Sequence, residues 1–341
     1  MTVKVGINGF GRIGRLAFRR ILELQESGSQ ISNDIEVVAI NDLTNPSMLA
    51  YLLKYDTTHG TLKNDVSADE TGLIVDGKHY TVYAERNAGD LEWVKNDGVE
   101  VVLEATGFYT SKEKSQVHID AGVKKVLISA PAGNIPTVVY GVNQNSLDGS
   151  EQIISAGSCT TQSLAPMVDA LDKEFGVELG LMTTIHAFTS TQMILDGPKG
   201  NKMRSNRTAS ANTIPHSTGA AKAIGLVVPS VEGKLDGHAQ RVAVIDGSIT
   251  ELTTVLSKNV TAAEINEAMK KYTDESFGYN GDEIVSSDII GDTHGGVFDP
   301  TLTKVITAGD KQLVQTASWY DNEYGFTSNM IRTLMYIAKM N

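Results

Sequence analysis

An internal disulfide is impossible in this chain, because its 341 residues include a single cysteine, Cys159. Folding therefore does not require an oxidising compartment. Long apolar runs are also missing. None approaches the roughly 18 residues that a membrane-spanning helix needs, and residues 1–6 enter strand-like sequence without the apolar stretch of a secretion signal. Positive charge is in deficit, with 29 Lys and Arg against 41 Asp and Glu and a net charge of −12. General binding to nucleic acid or to an anionic membrane needs a basic face that displaces counterions, so neither partner is expected. Repeats at a period of roughly 20–50 residues and low-complexity tracts are absent as well, which excludes a solenoid. These absences leave the expectation of a soluble, cytoplasmic protein. Its length is enough to bury a core unaided and to form two domains.

The pattern along the chain supports that division. Residues 3–8 form a short apolar run, a glycine-rich turn follows, and Ile13, Leu16, Ala17, Ile21 and Leu24 recur at helical spacing. Residues 35–40 are a second apolar run, with the polar stretch 25–34 between them as helix end and loop. Such runs suit a parallel sheet covered on both faces. Asp76-Gly77 between residues 73–75 and 80–82 predicts a hairpin. Residues 99–104 and 125–129 predict further parallel strands, with a helix at 111–121 between them.

Beyond residue 155 the strands lengthen and become rich in Val, Thr and Ile, at 181–185, 241–245 and 248–256. Asp246-Gly247 predicts a hairpin between the last two. The expected fold is α/β. A Rossmann-type doubly wound parallel sheet occupies 1–158, and an α+β catalytic domain with a mostly antiparallel or mixed sheet occupies 159–321. The amphipathic tail 322–341 is read as a helix that completes the first domain. Residues 188–215 are polar and long for a loop, which points to function.

Gly9-Phe10-Gly11-Arg12-Ile13-Gly14 matches the G-x-G-x-x-G pattern, after a strand and before a helix. The first glycine permits the turn, the second lets a pyrophosphate approach, and the third packs helix on strand. The helix start at Gly11, Arg12 and Ile13 offers free N–H groups to an anion. Asp42, at the end of the second strand, supplies the acid for an adenosine ribose and would repel the 2′-phosphate of NADP, so NAD is the expected cofactor.

Cys159 lies where a strand ending at Ser155 gives way to a helix, a place that favours thiolate. Ser158, Thr160 and Thr161 add hydroxyls around it. A buried structural cysteine is the competing reading. His186 ends a strand and is compatible with either a catalytic or a structural role.

Five ordered segments carry a resemblance that decides between these readings. They are residues 4–15, 103–108, 184–189, 217–223 and 318–323, together with the run Ser158-Cys159-Thr160-Thr161 followed by Leu164-Ala165-Pro166. They resemble the glyceraldehyde-3-phosphate dehydrogenases, and the likeness spans nearly the whole chain. It implies an NAD-dependent, phosphorylating aldehyde dehydrogenase of glycolysis, acting on glyceraldehyde 3-phosphate and inorganic phosphate with no metal. Cys159 would be the nucleophile and His186 its acid–base partner. Thr189 and Arg241 would hold the substrate phosphate. Ser158, Thr160, Thr218 and Gly219, with Arg207 near them, would hold the attacking phosphate. Asn322 would fix the nicotinamide carboxamide, and Arg86 and Ser129 would be further cofactor contacts. The family is usually a homotetramer in which the 188–212 loop reaches a neighbouring subunit.

The chain departs from the family's pattern at Gln162, where Asn is usual, at Ser163, in the loop 204–207, at residues 242–246 and at His294-Gly295-Gly296. Pro198 matches NAD-preferring members. Erythrose-4-phosphate dehydrogenase is the alternative enzyme reading, and a weakened paralogue with a secondary surface-binding role is the other.

Overall fold

The computed structural model describes residues 2–28 and 34–340. The expected loop at 25–34 falls partly on residues 29–33, which lie outside the described residues. The chain divides into two compact units. Unit 1 contains Met1–Val138, Gln144–Gly157 and Met330–Asn341, and unit 2 contains Val139–Asn143 and Ser158–Asn329.

Unit 1 contains β1 (Val3–Asn8), α1 (Arg12–Glu26), β2 (Ile35–Asn41), α2 (Pro46–Lys54), β3 (Val66–Ala68), β4 (Gly72–Val75), β5 (Lys78–Tyr83), α3 (Trp93–Asn96), β6 (Val101–Glu104), α4 (Lys112–Asp120), β7 (Lys125–Ile128) and β8 (Ile153–Ser155). The sheet order is β3-β4-β5-β2-β1-β6-β7-β8. From β5 to β8 every neighbouring pair is parallel, which is the doubly wound arrangement. Strands β6 and β7 are buried at every position, as strands covered on both faces must be. The Asp76-Gly77 turn joins β4 to β5 with both residues at positive φ, as its sequence predicts. Ser111 caps α4 by accepting the Lys114 N–H.

The carboxyl ends of these strands are tied by a buried polar network. Asn8 donates to Glu104 Oε2 at 2.6 Å, and His118 Nε2 meets the same oxygen at 3.1 Å. Glu104 Oε1 accepts the Thr106 N–H and hydroxyl. Asn41 donates to Asn8 Oδ1 at 2.7 Å. Buried polar groups are tolerated where they find partners, and here the partners lock three strand ends together.

Unit 2 begins with α5 (Cys159–Phe175), β9 (Val177–Ala187), β10 (Ile214–Ser217), α6 (Ala220–Val227), β11 (Leu235–Val242), β12 (Ser248–Leu256) and α7 (Ala262–Lys271). It continues through β13 (Phe277–Tyr279), β14 (Gly296–Phe298), β15 (Lys304–Ala308) and β16 (Lys311–Tyr320), and the chain ends in α8 (Tyr324–Ala338). The sheet is mixed, in the order β10-β11-β9-β12-β16-β14-β13, with β15 paired to β16. Leu164, Met167, Val168 and Leu171 of α5 form its core with Ile224 of α6, Ile265 and Met269 of α7, and Met182, Leu252 and Val314 of the sheet.

One expected pairing is corrected. Asp246-Gly247 turns the chain, with Gly247 at φ 86°, but the strands that it joins are not partners. Strand β9 lies between them, parallel to β11 and antiparallel to β12. A local turn signal specifies only the reversal; the long β9 supplies the larger pairing surface to both neighbours. The 188–215 stretch is also less polar at its tip than its composition suggests, since Ile194, Leu195 and Met203 are exposed. No helix among the described residues is long and apolar enough to cross a membrane.

Replacing Glu104 by Ala leaves Asn8, Thr106 and His118 without their shared acceptor. Urea unfolding should then show a loss of about 3 kcal/mol; a loss under about 1 kcal/mol would mean that the network does not hold the strand ends.

Candidate active site

The glycine motif and the acid meet at the carboxyl end of the unit 1 sheet. A cleft of about 460 Å³ is lined there by residues that follow β1 (Gly9, Gly11), β2 (Asp42, Leu43), β5 (Arg86) and β6 (Thr106, Phe108). Clefts at this edge, beside the reversal of strand order, are where open α/β sheets take ligands. Gly9 sits at φ 92°, and a Cβ there would lie 2.7 Å from Thr106 N. A Cβ on Gly11 would meet nothing within 4 Å, so the helix start opens directly onto the cleft. Asp42 accepts the Phe10 N–H at 2.8 Å and the Thr44 N–H at 2.9 Å, which anchors its carboxylate to the glycine turn. Arg12 turns its guanidinium onto Asp56, so its backbone N–H, with that of Ile13, is what the helix start presents. Ser129 follows β7, with its N–H on Glu104 O, and does not line this cleft. The shape, open backbone and carboxylate fit a dinucleotide.

In unit 2, Cys159 is the first residue of α5. Gly157, at φ 69°, makes the turn, and Ser158 caps the helix by accepting the Thr161 N–H at 3.1 Å. Cys159 Sγ lies 3.3 Å from His186 Nε2. Arg241 reaches the same histidine because β11 pairs with β9 in the register that sets Arg241 beside His186. Its Nη1 is 2.7 Å from His186 Nδ1 and donates to Ala187 O at 3.1 Å. Ala187 O is also 2.7 Å from Nδ1. The two contacts at Nδ1 select opposite tautomers: the carbonyl needs a proton on Nδ1, whereas the guanidinium needs a lone pair. The first leaves Nε2 free to accept a proton from sulfur or substrate.

Burial pushes the His186 imidazole down to about 3, with the Arg241 charge acting in the same direction. Burial likewise pushes the Cys159 thiol up, against Arg241 and hydrogen bonds from the Thr160 N–H and hydroxyl. This differs from the expectation that the helix start alone would lower the thiol. Desolvation outweighs it, and the donors around Sγ must supply the compensation.

Asn322 joins this group through a short relay. The Ala187 N–H donates to Ser248 Oγ at 3.1 Å, and Ser248 donates to Asn322 Oδ1 at 2.7 Å. The Asn322 NH2 group is left to serve a ligand. The remaining candidates sit apart in their bonding. Thr189 bonds within its own loop to Thr191 and Gln192. Arg207 pairs with Asp196 at 2.9 Å on the surface of that loop. Thr218 and Gly219 cap α6, where Thr218 accepts the Ala220 N–H. Among the described residues no hydrogen bond joins these four to Cys159 or His186.

Four of the departures from the family's pattern, Gln162, Ser163, Gly295 and Gly296, fall together. Gln162 Oε1 accepts from Asn329 Nδ2 at 3.1 Å, and that amide also reaches Ser276 O at 3.4 Å. A Cβ on Gly295 would lie 2.2 Å from Asn329 Nδ2 and 3.3 Å from Gln162 Cβ. A Cβ on Gly296 would lie 2.9 Å from Ser163 Cα. Gly295 therefore makes room for the Asn329 amide that Gln162 engages, and Gly296 for the backbone of Ser163. Gln162 faces this buried amide network.

Three contributors were not singled out from sequence: Tyr320, Thr184 and Ser248. Tyr320 and Thr184 are wholly buried, and their hydroxyls are 2.7 Å apart. The available signal was the polar alternation Thr316, Ser318, Tyr320 on a strand whose other positions predict core.

Comparison with known proteins agrees with both units. Residues 3–112 match the family model described as glyceraldehyde 3-phosphate dehydrogenase, NAD binding domain, and residues 158–322 match its C-terminal domain. The chain is 66% identical over 342 residues to glyceraldehyde-3-phosphate dehydrogenase of Lactobacillus delbrueckii subsp. bulgaricus, covering 100% of both chains. It is 59% identical to the enzyme of Lactococcus lactis subsp. lactis (strain IL1403) and 55% identical to that of Streptococcus pyogenes, in each case over 100% of this chain and 99% of the relative.

Gly295→Ala should displace Asn329 and cost about 2 kcal/mol in thermal or urea unfolding. The cost should shrink in an Asn329→Ala background, since the clash is with that amide. Equal costs in both backgrounds would place the clash elsewhere.

Proposed function

This chain belongs to the glyceraldehyde 3-phosphate dehydrogenase family, and from that membership and the geometry at Cys159 we propose how its residues oxidise D-glyceraldehyde 3-phosphate to 1,3-bisphosphoglycerate with NAD and inorganic phosphate. The observation that carries the proposal is the 3.3 Å approach of Cys159 Sγ to a buried, neutral imidazole.

His186 Nε2 takes the Cys159 proton, Sγ attacks the aldehyde carbon, and the proton passes from Nε2 to the aldehyde oxygen, forming a hemithioacetal. His186 Nε2 then takes the hemithioacetal hydroxyl proton. With its affinity for protons lowered by burial and Arg241, the imidazole is a free base at neutral pH, as a general base must be. Gly9, Gly11, the N–H groups of Arg12 and Ile13, and Asp42 would hold NAD, with Asn322 assigned by the family resemblance to its carboxamide; the bound cofactor would supply the hydride acceptor, and loss of hydride turns the hemithioacetal into a thioester. Phosphate attacks the thioester carbonyl, the C–S bond breaks, and the acyl phosphate leaves with the Cys159 sulfur restored. Arg241 is the guanidinium best placed to grip the substrate phosphate near His186, with Thr189 beside it. Ser158, Thr160, Thr218 and Gly219 are assigned to the attacking phosphate; Arg207 is a more distant contributor, because Asp196 already engages it. Arg86 lines the dinucleotide cleft, and Ser129 is kept as an outer cofactor contact.

A thiol that must stay reduced suits the cytoplasm. Assembly into a homotetramer is supported by the exposed apolar side chains Ile194, Leu195 and Met203, and by Leu179, Leu181 and Ile306 on the sheet. The relatives support neither the erythrose 4-phosphate alternative nor a weakened paralogue.

NADH formation from the triose phosphate should require phosphate or arsenate. Cys159→Ser should abolish it, and His186→Asn should lower kcat by about 10²- to 10⁴-fold. Turnover that persists without phosphate would sink the phosphorolysis step. Light scattering should report four chains per particle; a monomer mass would overturn the assembly reading.

A further inference from the structure

The glycine turn at the mouth of the dinucleotide cleft is held by a charged side chain on each side. The Phe10 N–H donates to Asp42 Oδ2 at 2.8 Å, and Phe10 O accepts from Arg15 Nη1 at 2.8 Å. The first contact orients the peptide before Phe10. The second orients the peptide between Phe10 and Gly11. Phe10 itself is wholly buried, with its ring edge-on to Phe18 at 5.8 Å, so its own side chain fixes the residue between the two peptides.

Arg15 belongs to a stripe on one side of α1, with Arg12 and Arg19 at helical spacing. Those two neighbours are committed elsewhere. Arg12 pairs with Asp56, and Arg19 donates to Leu53 O at 3.0 Å and to Gly60 O at 3.0 Å, at the end of α2 and in the loop beyond it. Side chains on a helix lean toward its N-terminus, and Arg15 reaches back along that direction to Phe10 O. Among the described residues no carboxylate forms an ion pair with Arg15, and its Nε is buried without a partner. A cation in the first turn opposes the helix dipole, and α1 has no acidic residue there to offset it. Helix stability alone therefore does not explain Arg15, whereas an anion beside the helix start does.

Without Arg15, little would fix the peptide that it holds. A Cβ on Gly11 would meet nothing within 4 Å, and glycine takes either sign of φ, so this peptide can rotate without a clash. The freedom that lets a pyrophosphate approach also lets the turn present the wrong group. The carbonyl and the following N–H of a trans peptide point in opposite directions. With Phe10 O drawn onto Arg15, which does not line the cleft, the Gly11 N–H points away from Arg15, and Gly11 does line the cleft. No hydrogen bond among the described residues engages that N–H. A reversed peptide would face the pyrophosphate with an oxygen and repel it.

We propose that Arg15 is a positioning residue for the cofactor: its grip on the Phe10 carbonyl keeps the Gly11 N–H turned toward the pyrophosphate of NAD. The two contacts divide the turn. Asp42 serves the adenosine ribose and fixes the peptide before Phe10, and Arg15 fixes the peptide after it. A defect at Arg15 is therefore felt by ligands that carry a pyrophosphate and not by those that end at the ribose.

The proposal rests on NAD occupying this cleft, and its test reads binding without aldehyde or phosphate. Titration calorimetry follows NAD and ADP-ribose, and adenosine is followed by its displacement of NAD. The proteins are the full-length parent, Arg15→Met, which keeps the apolar stem, and Arg15→Lys, which keeps a charged donor on a shorter arm. Arg15→Met should weaken NAD and ADP-ribose about tenfold, as loss of one well-placed hydrogen bond does, with adenosine within about twofold of the parent. The loss should persist at about 0.5 M salt, where a simple charge effect is screened. Arg15→Lys should weaken NAD only about threefold. In turnover, Arg15→Met should raise KM for NAD by the same factor as Kd, with kcat within about twofold of the parent. In the parent, hydrogen exchange resolved to the Gly11 amide should slow with ADP-ribose and not with adenosine. Equal weakening of adenosine and ADP-ribose, a loss that vanishes in high salt, or a Gly11 amide indifferent to ADP-ribose would overturn the positioning role. If Arg15→Met does not fold, Arg15→Lys decides: no change for NAD, or the same change for adenosine, would overturn the proposal. A parent protein that binds NAD but forms no NADH would instead overturn the proposed function and leave the binding result standing.

Discussion

A sulfur 3.3 Å from an imidazole nitrogen requires two chain segments to arrive at one point from different directions. Helix α5 must begin at Cys159, which Gly157 and the Ser158 cap arrange within a few residues. Strand β9 must end at the height of that helix start, which the packing of Leu164, Val168 and Leu171 on the sheet enforces. Once β9 is placed, its register with β11 brings Arg241 to His186, and its register with β12 brings Ser248 to Ala187. The active-site groups of unit 2 therefore follow from one helix start and one strand.

Burial has opposing effects on the two reacting groups of the site. Burial keeps His186 neutral, which serves a base, and disfavours a charged Cys159, which hinders a nucleophile. The second effect has to be offset by donors and positive charge gathered close to the sulfur. Arg241, the Thr160 N–H and hydroxyl, and the free N–H groups at the start of α5 are those donors. This explains why so many hydroxyls sit in a region that otherwise reads as core.

The departures at Gln162 and Ser163 and at Gly295 and Gly296 are far apart in the sequence. In space they are one arrangement: Gly295 leaves room for Asn329, whose amide donates to Gln162, and Gly296 leaves room for the backbone of Ser163. Residues far apart in the chain can adjust to one another only through packing.

Much of the architecture could be read directly from residue order. The glycine motif, the acid at Asp42, the Asp76-Gly77 hairpin and the capped helix α4 all depend on interactions within a few residues, so local pattern is enough to specify them; α5, expected over 163–175, begins four residues earlier at Cys159. Cys159 and His186 needed the resemblance of five ordered segments, because a lone cysteine or histidine has no spacing to read. The tertiary structure decided what local pattern cannot encode. It separated the strands on either side of Asp246-Gly247 by inserting β9, since a turn fixes a reversal and not a partner. It set Arg241 on His186, 55 residues away, through strand register. It also turned Thr160, Thr184 and Tyr320 inward to one another, because burial leaves a hydroxyl no water and obliges it to find another hydroxyl.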